Sequence, residues 1–547
     1  MKRTPLSKND IVTLEISDLT PDGAGVGKQE GYVVFVPKTA VGDVVSARIL
    51  KPLASYAYGK CEAVLIPSKD RCEPMCPVFS KCGGCLFRHI RYEAELRIKK
   101  GWVEENFKRI GSLPVLCSKI LPSPQVDGYR NKAQIPCGTG ADGRPSFGFF
   151  APHSHRIIPC GDCSLAPAFY SAVIRCVSKW MEQYGIRPYD EETGRGTVRH
   201  LFIRDGRTSG EVMVCIVANA DSLPHADALA DSLRREIPNV VSILLNVNKK
   251  PGNRILGDRC VTLWGKDAMT DVLCGLAFDI SPLSFYQVNH DAAELLYRTA
   301  ADMAALSGEE TLLDLYCGVG TIGLSMASRA KRLVGVEIIP EAVENARRNA
   351  RRNGIANAEF ICADAGEAAK RLVQSGQMPD VVMLDPPRRG CTPEVLDAVL
   401  RMAPSKIVMI SCNSATAARD CAYLAARGYP VSRLCAVDLF PRTGHVETVV
   451  LLSKLKVDHH IEIELKMDEL DLTAAESKAT YDEIKAYVLN KYGLKVSQLY
   501  IAQIKRKCGI IERKNYNVSK KEDAKVPQCP PEKEAAIMDA LKHFQMI

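Results

Sequence analysis

The chain has 547 residues, enough for roughly three to five domains, which excludes a single small binding module. Hydrophobic residues make up 46% of it and charged residues 25%, and these ordinary values exclude a disordered or fibrous chain. Lys and Arg (72) exceed Asp and Glu (64) by eight, which permits a polyanionic partner without requiring one.

Cysteine is the unusual part of the composition, with 21 residues. The first residues, MKRTPLSKND, lack the apolar stretch of a signal peptide, and no apolar run reaches the roughly 18 residues of a membrane span. We therefore expect a cytoplasmic protein with no membrane association and no obligatory protein partner. Because that compartment is reducing, structural disulfides are unexpected, and most cysteines should be buried thiols, with a minority acting as ligands or nucleophiles.

Residues 1–67 contain short strands of alternating pattern, IVTLEISDL, GYVVFVP and VVSARILK, separated by glycine-rich turns, and this predicts a small β-barrel. Lys51, Tyr56, Tyr58 and Lys60 fall among the later strands, as in a barrel that binds nucleic acid, although exposed lysines on strands are usually just solvated. The GAGVG turn followed by GYVVFVPKTAVGD resembles a TRAM domain, and that resemblance implies RNA binding.

Three further domains are predicted along the chain. Residues 68–280 carry a cysteine-rich stretch and then mix strands with helices, which predicts a central α/β domain. Residues 281–456 repeat strand-then-helix units, which predicts a parallel, doubly wound, Rossmann-like sheet. The sequence of residues 457–547 predicts a charged helical extension with a polar linker before its last helix. The first two helices of this extension fit either a helix-turn-helix or a simple helical appendage.

The segment Asp314 to Gly323, DLYCGVGTIG, predicts a buried strand, a tight turn and the start of a helix. Gly318 and Gly320 are expected where any side chain would hold a nucleotide-like ligand away from the backbone. Glu337 ends the next strand and is placed to accept both hydroxyls of a ribose. A glycine motif alone also fits a purely structural turn or a dinucleotide site.

The fourth strand of the doubly wound sheet ends in VVMLDPPRRG, so that Asp385 and two prolines follow it directly. This leaves a carboxylate and free carbonyl groups at the carboxyl edge of the sheet, where ligands bind in open α/β folds. Together, DLYCGVGTIGL and LDPPRRG resemble the cofactor motifs of S-adenosylmethionine-dependent methyltransferases. The resemblance favours that cofactor over a nicotinamide dinucleotide.

Two later segments carry candidate catalytic groups. Cys412 ends the strand KIVMIS, and Asn413 or Ser414 is placed to cap the next helix, which predicts a thiol whose pKa is lowered by the helix amino terminus. His445 and Glu447 stand at the start of a strand in GHVET, and alternation predicts that they share a face. A carboxylate there is a candidate base if burial raises its pKa, although an isolated HVE reads equally as an exposed strand end.

Six motifs occur in order: FYQVN, DLYCGVGTIGL, VGVE, LDPPRRG, SCN and GHVET. Their order resembles that of the RNA uracil-5-methyltransferases. The resemblance implies methylation of uridine carbon 5 in RNA, with 23S ribosomal RNA favoured over transfer RNA, and Cys412 as nucleophile with Glu447 as general base. It also implies cofactor contacts from Gln287, Tyr316, Glu337 and Asp385. A non-catalytic RNA-binding assembly factor and an iron–sulfur redox protein are the competing hypotheses.

The stretch CPVFSKCGGC places Cys76, Cys82 and Cys85 within ten positions, and its two glycines let the backbone wrap closely around a ligand. The spacing of these cysteines fits either a zinc site or an iron–sulfur cluster. Zinc sites usually show two CxxC pairs, and Cys160 with Cys163 would supply the second pair. Resemblance to the family favours a [4Fe–4S] cluster, with Cys163 as the fourth ligand. We expect the cluster to be structural or to contact RNA.

Overall fold

The computed structural model describes residues 5–167, 169–455, 481–508, 529–544 and 546. The chain separates into two compact units, Met1–Lys456 and Val457–Ile547. The first four residues and the polar linker predicted before the last helix lie outside the described ranges. Within those ranges, no helix combines the length and the apolar character that crossing a membrane requires. The division into four domains stays a prediction.

The amino-terminal segment forms a closed five-stranded barrel, which confirms the predicted fold of this part. Around the barrel the strand order is β1-β2-β3-β5-β4. Alternate residues point inward, because successive side chains of a strand face opposite sides, and they bury a core that includes Leu14, Val34 and Ile49. The strands are β1 (Ile11–Leu19), β2 (Ala24–Gln29), β3 (Tyr32–Pro37), β4 (Val44–Pro52) and β5 (Tyr56–Ile66).

A helix and a short strand follow the cysteine-rich stretch: α1 (Tyr92–Arg109) and β6 (Ile120–Leu121). Val103 and Phe107 of α1 are buried in the same core as the helices and strands of the last sheet. Strand β6 pairs in parallel with the edge of that sheet. The last sheet therefore includes residues from well before position 281: β6 pairs with its edge, and α1 packs on one of its faces.

The central part of the chain is a seven-stranded mixed sheet packed against two helices, as predicted. Strands β10 and β11 are buried along their whole length. The sequence of β11 is continuously apolar, whereas β10 also buries Arg199, His200, Arg204 and Asp205. The elements are β7 (Lys132–Thr139), β8 (Pro145–Phe150), β9 (Ile157–Pro159), α2 (Phe169–Gln183), β10 (Val198–Asp205), β11 (Val212–Ala218), α3 (Ala226–Glu236), β12 (Val240–Val247) and β13 (Arg259–Gly265).

A hairpin and one helix lead into the last sheet: β14 (Met269–Leu273), β15 (Leu276–Ile280) and α4 (His290–Ala304). The doubly wound part then runs β16 (Thr311–Leu315), α5 (Thr321–Met326), β17 (Arg332–Glu337), α6 (Pro340–Arg352), β18 (Ala358–Cys362), α7 (Ala365–Gln374), β19 (Val381–Leu384), α8 (Pro393–Met402), β20 (Lys406–Ser411), α9 (Ser414–Ala425), β21 (Val431–Val437) and β22 (Glu447–Ser453).

The last sheet has eight strands in the order β18-β17-β16-β19-β20-β22-β21-β6. The five strands from β18 to β20 are parallel, and β22 lies antiparallel to β20. The predicted Rossmann-like sheet is confirmed. Its strand order reverses at β16, so the carboxyl ends of β16 and β19 open the crevice in which such sheets bind ligands.

The second unit contains three described helices: α10 (Tyr481–Tyr492), α11 (Gln498–Lys507) and α12 (Pro531–His543). They bury a small core that includes Ile484, Ile501 and Ile537. The hydroxyl group of Ser497 caps α11 by accepting a hydrogen bond from the N–H of Tyr500. A helical carboxyl-terminal extension is therefore present, as predicted.

Candidate active site

The turn after β16 adopts a backbone that few residues tolerate. Tyr316 has φ +68°, Gly318 has φ +58° and Gly320 has φ +85°. A left-handed conformation is costly for a tyrosine, and such strain is commonly found at functional sites. A Cβ atom built on Gly318 would meet no atom within 4 Å, so a side chain there would project into open space beside the turn. The geometry matches the space that a bound nucleotide-like ligand needs.

Two carboxylates hold the turn in place. One oxygen of Glu337, at the end of β17, accepts a hydrogen bond from the N–H of Gly318 at 3.1 Å. The fully buried Asp314 accepts one from the N–H of Gly323 at 2.9 Å. Burial raises the pKa of Asp314 to about 8, and the charge of Asp385 adds to the rise. Asp314 was not among the predicted site residues, although its position at the strand end was visible in the sequence.

Asp385 follows β19, the strand beside β16. Removal from water raises the pKa of its carboxyl group to about 7. The loop after it is fixed to α9: the side-chain amide of Asn413 donates to the carbonyl oxygen of Arg388 at 3.0 Å. Arg419 donates to the carbonyl oxygen of Arg389, also at 3.0 Å. The loop is therefore a defined wall between the glycine turn and the start of α9.

Cys412 lies between β20 and α9 and is half-buried. The side chain of Asn413 caps the helix by accepting from the N–H of Ala415 at 3.1 Å, as one of the two predicted caps. The predicted lowering of the thiol pKa is wrong for this structure. Burial raises the pKa of Cys412, and the charge of Glu447 raises it further, while Arg388 acts in the opposite direction. Burial and the neighbouring carboxylate are the causes that the sequence argument did not include.

Glu447 begins β22 and is buried, with 5% of its surface exposed. Strands β20 and β22 pair Ser411 with Thr448, so the next residues outward, Cys412 and Glu447, stand side by side. Burial raises the pKa of Glu447 to about 8, and the charge of Asp385 contributes. The structure thus brings Cys412, Glu447 and Asp385 to one edge of the sheet.

His445 and Gln287 are placed differently from these three. His445 is exposed and precedes β22, so the predicted shared face with Glu447 is wrong because the strand begins only at Glu447. Gln287 lies just before α4, and its carbonyl oxygen accepts from the side-chain amide of Asn131 at 2.9 Å. Asn289 caps α4 and also donates to the carbonyl oxygen of Leu439 at 3.0 Å. Motif spacing predicts neither the contact of Asn131 with Gln287 nor that of Asn289 with Leu439.

The cysteine-rich stretch surrounds a cavity of about 250 Å³ in the first unit. Its lining includes the four predicted ligands and a fifth thiol: Cys76, Cys82, Cys85, Cys163 and Cys160. The described residues contain no group of three His, Cys, Asp or Glu side chains arranged to hold a metal ion. Arg88 also lines the cavity; it is 6% exposed, and its Nε atom has no partner among the described residues. Its guanidinium also forms a salt bridge with Asp127 at 2.6 Å, so its charge is already balanced.

The barrel carries a small cluster of aromatic side chains on its surface. The rings of Phe35, Tyr56 and Tyr58 lie with their centroids 5.5 to 5.9 Å apart. Tyr58 is 43% exposed, and Lys51 and Lys60 are exposed on the neighbouring strand positions. Stacking surfaces flanked by lysines are the usual means of holding single-stranded RNA.

Known proteins resemble this chain over most of its length. An uncharacterized RNA methyltransferase of Halalkalibacterium halodurans is 42% identical over 452 residues, which cover 82% of this chain and 98% of that protein. Another, of Clostridium acetobutylicum, is 40% identical and covers 83% and 99%. The model of the tRNA (uracil-5-)-methyltransferase family matches residues 275–455. The chain belongs to this RNA uracil-5-methyltransferase family.

A TRAM domain model matches residues 6–61 of this family member, which confirms the predicted identity of the barrel. A crystal structure of the Pyrococcus abyssi tRNA (uracil-54, C5)-methyltransferase in complex with S-adenosyl-L-homocysteine has a TM-score of 0.67 and 27% identity. It covers 80% of this chain and 99% of that one. The chain is thus an S-adenosylmethionine-dependent RNA (uracil-5-)-methyltransferase, and the predicted enzyme class, cofactor and RNA substrate are confirmed at this level.

Proposed function

We propose that this methyltransferase modifies carbon 5 of a uridine in 23S ribosomal RNA through a covalent bond between Cys412 and the uracil. The observation that carries the proposal is the pairing of β20 with β22, which sets Cys412 beside Glu447. A thiol and a carboxyl group whose pKa is raised to about 8 are the nucleophile and base that this chemistry needs. We propose cofactor contacts from Gln287, Tyr316, Gly318, Gly320, Glu337 and Asp385.

The reactivity of uracil explains why the reaction needs a nucleophilic thiol and a base. Carbon 5 is too weakly nucleophilic to be methylated directly, so the thiolate of Cys412 first adds to carbon 6 and makes carbon 5 electron-rich. S-adenosylmethionine supplies an electrophilic methyl group when bound. After carbon 5 is methylated, Glu447 takes its proton, the electron pair re-forms the ring double bond, and the thiolate of Cys412 leaves. Cys412 loses its thiol proton to solvent before the attack, and Glu447 passes the proton from carbon 5 to solvent afterwards, so both groups return to their starting states.

The target uridine must leave its stack before Cys412 can reach carbon 6. The aromatic cluster on the barrel, with its neighbouring lysines, supports contacts to flanking single-stranded RNA. Ribosomal RNA is our first choice, because the barrel and the cysteine-rich stretch resemble the ribosomal members of the family. Transfer RNA is the second choice, favoured by the name of the Pyrococcus abyssi enzyme.

The test uses tritiated-methyl S-adenosylmethionine with unmodified ribosomal RNA and, separately, unmodified transfer RNA, followed by mapping of the label. Label at uridine carbon 5 in 23S ribosomal RNA is expected, and label only in transfer RNA would contradict the preferred target. Cys412→Ala should abolish transfer and the covalent protein–RNA adduct. Cys260→Ala is the matched control, because Cys260 is half-buried like Cys412 but lies on β13, an edge strand of the central sheet.

We further propose that Cys76, Cys82, Cys85 and Cys163 hold a [4Fe–4S] cluster. The donor set supports this, because thiols bind iron–sulfur clusters and these four, together with Cys160, line one cavity. When bound, the cluster would cross-link a segment that has little regular secondary structure of its own.

Anaerobic purification should yield brown protein that contains about four iron and four sulfide per chain. Cys163→Ser should lose this colour, whereas Cys72→Ser should keep it, because Cys72 is not among the cavity-lining residues. Colourless protein with bound zinc would contradict the cluster and support the alternative that the sequence left open.

A further inference from the structure

The segment between β21 and β22, residues 438–446, leads directly to Glu447, and we call it the base loop. Three of its carbonyl oxygens accept hydrogen bonds from distant side chains. Lys99 of α1 donates to Phe440 at 3.1 Å. Asn289, before α4, donates to Leu439 at 3.0 Å, and Tyr129 donates to Pro441 at 3.1 Å. The path of the base loop is therefore determined by other parts of the first unit.

One end of the base loop is held by buried charges. The ammonium group of Lys99 lies 2.8 Å from the carboxylate of Glu95 and 2.7 Å from that of Asp438. The side chains of all three residues are at most 1% exposed. A buried ion group is costly to separate, because each charge left alone would be unsolvated. The ion group therefore holds Asp438, and with it the start of the base loop, against α1.

Arg442 occupies the middle of the base loop in an unfavourable backbone conformation. Its φ is +68°, which glycine adopts freely and arginine does not. The backbone N–H of Arg442 donates to Glu95 at 2.7 Å, and its guanidinium donates to the carbonyl oxygen of Ile90 at 2.8 Å. The guanidinium also lies over the ring of Tyr92, 5.6 Å from its centre. These contacts oppose the backbone preference of the residue.

The backbone of Arg442 also contacts the end of the cysteine-rich stretch. Its carbonyl oxygen accepts from the N–H of Leu86, the residue after Cys85, at 2.8 Å, and from the N–H of Phe87 at 3.3 Å. The barrel reaches the same place: a Cβ atom built on Gly444 would lie 1.6 Å from the carbonyl oxygen of Pro21. The cysteine-rich stretch, α1 and the barrel thus all meet on the base loop.

We propose that Arg442 is a positioning residue that joins the cysteine-rich stretch and α1 to the base loop and so holds Glu447 beside Cys412. The inference rests on the proposed function. In that mechanism Cys412 acts before methyl transfer and Glu447 acts after it. Loss of the guanidinium contacts to Ile90, Glu95 and Tyr92 therefore slows release of the methylated adduct and leaves methyl transfer to RNA nearly unchanged.

The test compares the two steps in single-turnover reactions with unmodified RNA. Arg442→Gly removes the guanidinium and also relieves the backbone strain, so the chain is expected to stay folded. Methyl transfer should stay within about twofold of wild type, while decay of the covalent adduct should slow by about tenfold or more, since small displacements of a reacting group cost this much. Arg442→Lys keeps a cation facing Glu95 and should restore part of the rate.

Arg433→Ala is the matched control, because Arg433 is exposed on β21, the strand that enters the base loop. It should behave as wild type in both steps. If Arg442→Gly lowers the thermal midpoint by more than a few degrees, Arg442→Gln, which keeps a donor for Ile90, takes its place.

Adduct decay at the wild-type rate, or equal slowing of both steps, would overturn the role of Arg442. If wild type itself transfers methyl groups without forming an adduct, the covalent mechanism fails first and independently. Persistent adduct in Arg442→Gly, at normal methyl transfer, would support the inference, because a general loss of structure does not separate the two steps.

Discussion

The pH dependence of adduct release follows from the environment of Glu447. Burial and the charge of Asp385 raise the pKa of this carboxyl group to about 8. As the proposed base, Glu447 must be deprotonated to act, so release should be slow below its pKa and fast above it. With a pKa near 8, about one-tenth of the molecules are active at pH 7 and about nine-tenths at pH 9. Release should therefore accelerate roughly tenfold over this range.

The assay forms the adduct with labelled S-adenosylmethionine, transfers it to buffers between pH 6.5 and about 9.5, and follows its decay on denaturing gels. Arg388→Gln should move the midpoint to higher pH, because the guanidinium of Arg388 lowers the pKa of Glu447. Asp385→Asn should move it to lower pH, because the charge of Asp385 raises that pKa. Glu447→Gln should show slow decay without this pH dependence. A wild-type rate that is flat from pH 7 to about 9 would refute the assignment of Glu447 as the base.

Three further predictions concern other parts of the chain. Tyr58→Ala should weaken RNA binding by about fivefold or more in filter binding, since a stacked base contributes about 1–3 kcal/mol, whereas Leu65→Ala on the same strand should not. Gly323→Ala should destabilise the fold by about 1–3 kcal/mol in denaturant unfolding, because its Cβ would lie 2.7 Å from the Asp314 carboxylate; Gly366→Ala, with no contact below 3.2 Å, is the control. A chain ended after Leu455 should still methylate RNA, because the first unit contains every candidate site residue, and inactivity of this chain would assign the extension a role in catalysis or target binding.

The pattern of the sequence predicts the layers of the fold and the edge that carries the site. Alternating strands before position 67 and strand-helix repeats after position 281 correspond to the barrel and the doubly wound sheet. Cys412 and Asp385 were recognised because each directly follows a buried strand, and such residues meet at the carboxyl edge of a parallel sheet.

What the sequence could not predict depends on contacts between distant residues. The pKa of Cys412 is raised by burial and then by Glu447, 35 positions later, so a helix-terminus argument alone gives the wrong direction. Strand β6 has only two residues, too few for a periodic pattern. The ion pair of Lys99 with Asp438 joins residues separated by 339 positions, and no local signal marks either partner.

The close approach of Gly444 to Pro21 limits how this enzyme could be redirected to another RNA. The turn that contains Pro21 and Gly23 belongs to the barrel, and a Cβ atom on Gly23 would lie 3.1 Å from the side chain of Leu86. Exchanging the barrel for that of another RNA-binding protein would change the surface on which the base loop rests. The barrel is thus not an interchangeable cassette, and a chimaera designed for a new target must retain this turn to retain turnover.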